Sequence, residues 1–392
     1  MNQTTIEAKE NRLMRATLFV FFVSGASSVL MGNLMPFLRQ TYDISYAQAG
    51  FLLSLPSWGN IASLFITGYL PTYIGRRKTV LLTSVWMAAA FLLITFGIGG
   101  AGALAAACVM IGIARGGNTN FSNIMMSTLP GKKSAIGYNL LHGAFAMGAV
   151  LSPLALVACT RNDDAGWKFM TAGITALCLV QITVYCRMGL PAENITKNIR
   201  QVDRSFLKNR NFWFGAAILF FYISTEYAIT NWLVTYFKDT GILNPEVSQL
   251  MTSLLWIVIF IGRMAGAALV GRVSRKVILV ADGIGLLAFF LLVFFSRSQL
   301  PIFLGIMGVG LFMATIYTSA LALGTERMKG NDLGVSTMIL VGTTGGIVTP
   351  ALVGMVAEKA GIQMGMGVVV AVTVLLLITI LLSVFSKGTE EA

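Results

Sequence analysis

Long apolar stretches, separated by short polar segments, follow one another along the whole chain. A membrane-spanning helix needs about 20 consecutive, mostly apolar residues, and several charge-free runs reach that length. These runs are 16–38, 44–75, 79–114, 134–160, 298–325, 333–357 and 360–386. They are continuous, whereas the strands of an outer-membrane barrel alternate polar and apolar residues. The pattern therefore predicts an all-α membrane protein that crosses the bilayer many times.

The same pattern predicts twelve transmembrane helices. We place them at 15–38, 46–70, 79–98, 102–127, 135–158, 168–188, 212–237, 247–270, 277–296, 299–322, 334–356 and 363–386. The first apolar run lacks a small-residue cleavage site, so we expect a span there and not a removable signal peptide. The longest polar connection, 189–211, predicts a cytoplasmic linker between an N-terminal six-helix bundle, 1–188, and a C-terminal one, 212–392.

Small residues recur at matching positions in the two halves. Gly59 and Gly68 have the spacing of Gly262 and Gly271, and Gly137, Gly148 and Pro153 have that of Gly334, Gly345 and Pro350. Glycine is common where membrane helices pack, so one match means little. Two matches in the expected order predict a parallel duplication and two pseudo-symmetric bundles.

The composition narrows the class of protein further. Hydrophobic residues make up 56% of the chain and charged residues 11%, against about 25% charged in soluble domains, which excludes a soluble enzyme. The formal net charge is +12. Most basic residues fall in loops on one side of the predicted helices, which indicates a cytoplasmic membrane protein with both termini in the cytoplasm. Nucleic-acid binding is not expected, because these charges are scattered over short loops.

The segment GYLPTYIGRRK, 68–78, resembles the signature between the second and third helices of the major facilitator superfamily. Gly68, Gly75, Arg76 and Arg77 match it, whereas Thr72 occupies the usual acidic position. The resemblance implies twelve helices in two bundles and a conformational role for this signature. Glycine would allow close helix approach, and the basic residues would cap carbonyl groups and anchor anionic lipid.

Two further segments, 116–153 and 222–237, resemble the fucose permease group of sugar and proton symporters within that superfamily. The resemblance implies substrate or proton contacts for Asn118, Asn123, Asn139, His142, Glu226, Trp232 and Tyr236. The fucose carriers have carboxylates in helices 1 and 4, and this chain has none there. The proton carrier of that group therefore does not transfer unchanged.

Ionisable residues inside the bilayer are costly, by at least about 2.5–3.5 kcal/mol at mid-membrane, and so mark candidate function. Glu226 is the deepest carboxylate of the sequence. Desolvation would favour its protonated form, whereas a neighbouring arginine would keep it charged. Arg115 shares a helix face with Asn118 and is predicted to bind a substrate carboxylate or to pair with Glu226. A fixed structural partner is the alternative for both.

Two other ionisable groups have more than one interpretation. His142, the only histidine, can titrate near neutral pH and contact a sugar hydroxyl, or form a structural hydrogen bond to another helix. Arg263, at the repeat of the helix 2/3 signature, is predicted to be an inter-helix clamp or a lipid contact. Asp282 is expected to pair with that region.

Several aromatic residues near mid-span suit a sugar, because rings stack on the CH face of a pyranose while polar tips bond hydroxyls. The substrate-binding candidates among them are Tyr222, Trp232, Tyr236, Trp256 and Tyr317. Ordinary packing is the alternative for each, and the interfacial aromatic belt is a further one for Tyr236.

The sequence predicts secondary active transport of a sugar or sugar acid, coupled to protons and working by alternating access. No Walker A motif is found, so ATP is not expected as the direct energy source. A drug exporter that exchanges protons is the alternative within transport, and a receptor or intramembrane enzyme the alternative outside it. We expect a monomer in the lipid bilayer without a cofactor. No metal site is expected, since the four cysteines lack ligand spacing.

Overall fold

A computed structural model describes residues 3–187, 204–269, 272–325 and 332–385. Nearly all of this part of the chain is helical. The helices are α1 (Gln3–Tyr42), α2 (Tyr46–Ile74), α3 (Arg76–Phe96), α4 (Gly100–Ser127), α5 (Gly131–Thr160), α6 (Trp167–Arg187), α7 (Arg210–Thr240), α8 (Pro245–Leu269), α9 (Arg275–Phe295), α10 (Gln299–Met313), α11 (Ile316–Thr325) and α12 (Asp332–Phe385). The all-α prediction is confirmed, and many helices run a few residues beyond their predicted ends.

The number of helices differs from the number of membrane crossings at two places. Helices α10 and α11 form one apolar stretch, Gln299–Thr325, interrupted at residues 314 and 315. Helix α12 contains two predicted spans, joined at Gly361, whose φ of 84° suits glycine and few other residues. Eleven helical stretches of the described residues are long and apolar enough to cross a membrane, and the α12 stretch is long enough to cross twice. This is consistent with twelve spans.

The chain divides into two compact units. Unit 1 contains Met1–Ile44 and Leu55–Asn198, and unit 2 contains Ser45–Ser54 and Ile199–Ala392. The start of α2 therefore belongs to unit 2, which the sequence did not predict. There the Tyr46 hydroxyl donates to Asp239 at 2.8 Å, and a Glu358 carboxylate oxygen accepts from the Ala47 amide at 3.2 Å. Residues 188–203 of the predicted linker lie outside the described part.

Unit 1 is held together by glycines that let backbones touch. A Cβ atom on Gly148 of α5 would overlap the carbonyl oxygen of Phe22 on α1, and one on Gly25 of α1 would overlap that of Phe145 on α5. The α1 and α5 backbones therefore contact each other without intervening side chains, as in other small-residue membrane interfaces.

Unit 2 repeats this arrangement between α7 and α12. A Cβ on Gly345 would overlap the carbonyl oxygen of Phe220, and one on Gly342 would lie 3.0 Å from the Cβ of Leu219. Gly148 and Gly345 are the pair that the sequence repeat had matched. Glycines at equivalent positions thus make equivalent helix contacts, which supports the predicted pseudo-symmetric bundles.

The helix 2/3 signature differs from its prediction in one respect. A Cβ on Gly68 would meet nothing within 4 Å, so the close helix approach predicted there is wrong. Gly75 is required for another reason, because its φ of 83° separates α2 from α3. After this turn the Arg77 guanidinium donates to the carbonyl oxygen of Cys186 at the end of α6. The basic residue therefore caps a helix end, as the resemblance implied.

A polar contact fixes the start of α1 to the start of α5. The Lys133 ammonium lies 2.8 Å from Glu10 and 3.4 Å from Glu7. The hydrogen bond to Glu10 raises the pKa of Lys133 above its usual value. The first turns of α1 precede the predicted span, so this contact extends unit 1 beyond the apolar part of its helices.

Candidate functional site

Three helices of unit 2 bring opposite charges and phenol rings together. Glu226 on α7 and Arg263 on α8 both act electrostatically on Tyr222 of α7 and on Tyr317 of α11. We call these four residues the ionic cluster. The Tyr222 and Tyr317 ring centroids are 6.2 Å apart. Glu226, Arg263 and Tyr317 are half-buried, so the cluster is accessible from one side.

Sequence and packing both explain why these side chains meet. Tyr222 and Glu226 are four residues apart on α7 and so share a helix face. Gly262, next to Arg263, approaches the end of α10, where an added Cβ would lie 3.1 Å from the Leu311 carbonyl oxygen. This brings α8 against the interrupted stretch that continues to Tyr317. The cluster therefore depends on backbone proximity as well as on the charges.

Tyr222 is fully buried and places its hydroxyl beside Glu226 and Arg263. The hydroxyl completes no hydrogen bond of regular geometry within the described residues, although a small shift would give it either partner. Buried hydroxyls normally have a partner. A proton shared with Glu226 or a ligand hydroxyl would supply one, and the predicted contact of Tyr222 with substrate stays a prediction.

The other aromatic candidates on α7 have protein partners instead. The Trp232 indole donates to the Pro350 carbonyl oxygen at 3.1 Å, and the Tyr236 hydroxyl lies 2.9 Å from the Gln363 side-chain oxygen. Both rings are fully buried. These contacts support the packing of unit 2, and the predicted contacts of both rings with substrate stay predictions. Trp256 on α8 is also buried, with 6% of its surface exposed, and its predicted contact with substrate stays a prediction.

Unit 1 contributes a half-buried cation. The Arg115 guanidinium on α4 donates to the Ser28 hydroxyl on α1 at 3.0 Å. One turn further, the Asn120 amide donates to the Thr67 hydroxyl on α2 at 2.9 Å. This part of α4 is thus polar, as predicted. The pairing of Arg115 with Glu226 would join the two units and stays a prediction.

Asn118 has a partner set that the sequence did not suggest. The Gln181 amide of α6 donates to the Asn118 side-chain oxygen at 3.3 Å and to the Ser84 hydroxyl of α3 at 2.8 Å. The Asn118 amide donates to the Ser24 hydroxyl of α1 at 3.2 Å. We call these four residues the amide network. All are buried, and Asn118 is only 1% exposed, so the network holds unit 1 together, and the predicted contact of Asn118 with substrate stays a prediction.

The candidates at the start of α5 lie nearer the surface. Asn139 and His142 are exposed, and the His142 ring meets the Phe21 ring edge-on with centroids 6.1 Å apart. Asn123 of α4 is half-buried, and its backbone oxygen accepts from the Tyr138 hydroxyl at 2.9 Å. Their predicted contacts with substrate or proton stay predictions.

Two more predicted features are placed by the structure. Thr72 is exposed and its hydroxyl donates to the Tyr69 carbonyl oxygen one turn earlier, at 2.6 Å. Arg76 is half-buried at the start of α3. Within the described ranges, no group of three or more His, Cys, Asp and Glu residues is arranged to hold a metal ion.

Sequence comparisons link the chain to transporters. The family model described as Major Facilitator Superfamily matches residues 17–340. A Helicobacter pylori protein named "Putative glucose/galactose transporter" is 23% identical over 367 residues, covering 86% of this chain and 87% of its own length. Protein TsgA of Salmonella typhimurium is 20% identical over 353 residues, covering 88% and 87%.

Solved structures share the fold. A D-xylose-proton symporter superposes with a TM-score of 0.81 at 12% identity, covering 96% of this chain and 97% of its own. A bacterial homolog of the human lysosomal transporter Spinster superposes with a TM-score of 0.78 at 13% identity, covering 96% of each chain. With a family model matching most of its length, this chain belongs to the Major Facilitator Superfamily, a family of membrane transporters and not of enzymes.

Proposed function

We propose that this protein transports a sugar across the cytoplasmic membrane together with protons, by alternating access of its two halves. The observation that carries the proposal is the ionic cluster, in which a carboxylate, a guanidinium and two phenols meet inside unit 2. The sugar transporters among the compared proteins support the choice of substrate class. The proposal includes a location in the cytoplasmic membrane, with both termini of the chain in the cytoplasm.

The chemistry of the cluster suits a polyhydroxylated ligand. Glu226 accepts hydrogen bonds from sugar hydroxyls, and Arg263 donates to sugar oxygens, so both lose their water without losing polar contacts. The ring of Tyr317 offers an apolar face to the CH groups of a pyranose. The Tyr222 hydroxyl, which completes no regular hydrogen bond within the described residues, gains a partner when a sugar binds.

Proton coupling follows from the balance of charge in the cluster. With Glu226 charged, Arg263 and Glu226 offset each other in a medium where single charges are costly. A proton on Glu226 leaves Arg263 as a net positive charge and changes which sugar oxygens the site favours. Sugar binding and proton binding are then linked through one side chain, as symport requires.

The direct test is uptake into vesicles that contain the purified protein. Labelled D-glucose, D-galactose, D-xylose, D-glucuronate and D-galacturonate are tested with and without an inward proton gradient. We expect one or more of these sugars to accumulate only with the gradient. Accumulation of none of them, together with proton-driven extrusion of a hydrophobic dye, would replace sugar uptake by drug export.

The variant Arg115→Gln tests whether the transported sugar carries a carboxylate. If it does, Arg115→Gln should weaken its binding steeply, because losing one partner of a desolvated charge pair costs about 2–5 kcal/mol. If the sugar is neutral, binding should persist. We favour the acidic sugar, since the guanidinium of Arg115 is half-buried and a guanidinium can bind a carboxylate through two parallel hydrogen bonds. Arg161→Gln, at the exposed end of α5, is the control.

A further inference from the structure

A second carboxylate lies inside unit 2, away from the ionic cluster. Asp282 of α9 is only 8% exposed and lies seven residues from the helix start, about 10 Å along the axis. Its side chain accepts a short hydrogen bond from the Thr315 hydroxyl. The sequence had predicted a partner near Arg263, and this contact with Thr315 replaces that prediction.

Thr315 lies at the interruption between α10 and α11. Glycines let neighbouring helices reach this point: a Cβ on Gly262 would lie 2.7 Å from the Ala314 side chain, and one on Gly266 would overlap the Thr315 methyl group. The helical hydrogen-bond pattern changes here, because the Ala314 amide bonds to Leu311 three residues back. A polar side chain at such a break can bond to groups that a regular helix would satisfy internally.

No cation compensates Asp282 among the described residues. Helix α10 carries no ionisable side chain, and α11 carries only Tyr317. Gly283 packs against Leu377 and Ile380 in the second part of α12, 362–385, which also carries no ionisable side chain.

The remaining charged groups on neighbouring helices are elsewhere. Glu358 and Lys359 lie at the end of the first part of α12, and Arg275 and Lys276 begin α9 at an exposed turn. Arg263 of α8 acts on Tyr222 and Tyr317. A carboxylate in a membrane span with only a hydroxyl partner is favoured in its neutral form.

We propose that Asp282 is a second proton-binding group, which receives the transported proton from Glu226 and releases it toward the start of α9. The proposal rests on the proposed proton-coupled transport. Tyr317 belongs to the ionic cluster and is two residues from Thr315, so one short segment carries a hydroxyl near each carboxylate. In the transfer an O–H bond of Glu226 breaks and an O–H bond of Asp282 forms, with no net change in charge.

The interruption gives this transfer a structural consequence. Protonated Asp282 can donate to an oxygen at the break, whereas charged Asp282 only accepts. Its protonation therefore changes the hydrogen bonds that hold residues 314 and 315. Tyr317 of the ionic cluster is two residues after Thr315. The protonation of Asp282 therefore affects the ionic cluster through this segment.

The test is an infrared titration of the full-length protein in lipid vesicles, without any sugar. A protonated carboxyl group has a C=O stretching band that a carboxylate lacks. We expect a band that disappears as the pH is raised, is missing in Asp282→Asn and is kept in Glu226→Gln. Thr315→Val should change the frequency of this band, whereas Thr325→Val, at the end of α11, should not.

The outcomes of the infrared titration either support or overturn the assignment of proton binding to Asp282. A band that Asp282→Asn retains in full, or a band of Asp282 that persists unchanged across the pH range, would overturn the proposal. Failure of Asp282→Asn to fold would show as loss of a monodisperse peak in detergent. In that event Thr315→Val decides, since an unchanged band frequency contradicts the assigned contact.

A transport measurement separates this proposal from the proposed function. Asp282→Asn should exchange labelled sugar across the membrane at near wild-type rates but fail to accumulate it under a proton gradient. If wild-type protein accumulates no sugar while the Asp282 band titrates, sugar symport fails and the proton site remains. If wild-type protein accumulates sugar and Asp282→Asn does so equally well, Asp282 takes no part in coupling.

Discussion

The two halves share their packing but differ in what they enclose. Gly148 and Gly345 bring α5 onto α1 and α12 onto α7 in the same way. Unit 1 holds the neutral amide network around Gln181 and one half-buried cation, Arg115, whereas unit 2 brings Glu226 and Arg263 together at Tyr222. The two units thus share a way of packing their helices and differ in the charged groups that each of them holds.

The largest expected effect concerns the shared packing. Gly148→Leu and Gly345→Leu should each abolish folded protein, because the new side chain overlaps backbone that cannot move aside. Gly143→Leu and Gly367→Leu are matched controls on the same helices, where an added Cβ meets nothing or only a distant ring. The yield of monodisperse protein after size-exclusion chromatography is the measurement. If only one of the two buried glycines tolerates leucine, the packing of the halves is not equivalent.

The next effect concerns the charges of unit 2. Arg263→Gln should abolish transport, because breaking a buried pair leaves a costly single charge on Glu226, by about 3–5 kcal/mol when burial is complete and less here. The double variant Glu226→Gln with Arg263→Gln should regain sugar exchange, since no single charge remains. Arg275→Gln, at the exposed start of α9, serves as the control. A double variant no better than Arg263→Gln alone would show that the two side chains act independently.

A smaller effect is expected from a substitution in the amide network of unit 1. Gln181→Leu should destabilise the protein by about 1–3 kcal/mol, because Asn118 and Ser84 lose a buried partner. Thermal unfolding in detergent measures the change, and sugar affinity should stay nearly the same. Gln40→Leu is the control, since Gln40 is exposed near the end of α1 and lies outside the network. A large loss of sugar affinity without loss of stability would show that the amide network is part of the sugar-binding site.

The smallest effect is expected at the helix 2/3 turn. Thr72→Ala removes only an exposed hydrogen bond within α2, so transport rates should remain within error of wild type. Neutralising Arg76 and Arg77 together should slow turnover, because Arg77 caps the end of α6. A Thr72→Ala variant as slow as the double arginine variant would contradict this difference.

The fold was predictable because a bilayer leaves few choices. Apolar runs had to become helices, so the all-α fold followed from their length, and the matched spacing of Gly148 and Gly345 predicted the repeat in which both make close contacts. The close approach predicted at Gly68 was wrong because a small residue permits contact without requiring it. The break at residue 315 was missed, since no proline or glycine marks it in the sequence.

The candidate site was predictable only in part, because sequence shows depth in the membrane but not partners. Glu226 and Tyr222 were found from the resemblance and from their shared helix face. Arg263 was expected at a helix end, and only the packing of α8 against α10 brings it to Glu226. Gln181 was missed, although a glutamine in the middle of an apolar span is a signal that could have revealed it.

The central claim is that the charged interior of unit 2 couples sugar to protons, and Glu226→Gln tests it most directly. The substitution keeps the shape of the side chain and removes its ability to carry the proton. In vesicles with an inward proton gradient, wild-type protein should accumulate a labelled sugar from the panel, and Glu226→Gln should only exchange it until both sides are equal. Uphill accumulation by Glu226→Gln at the wild-type level would contradict the account.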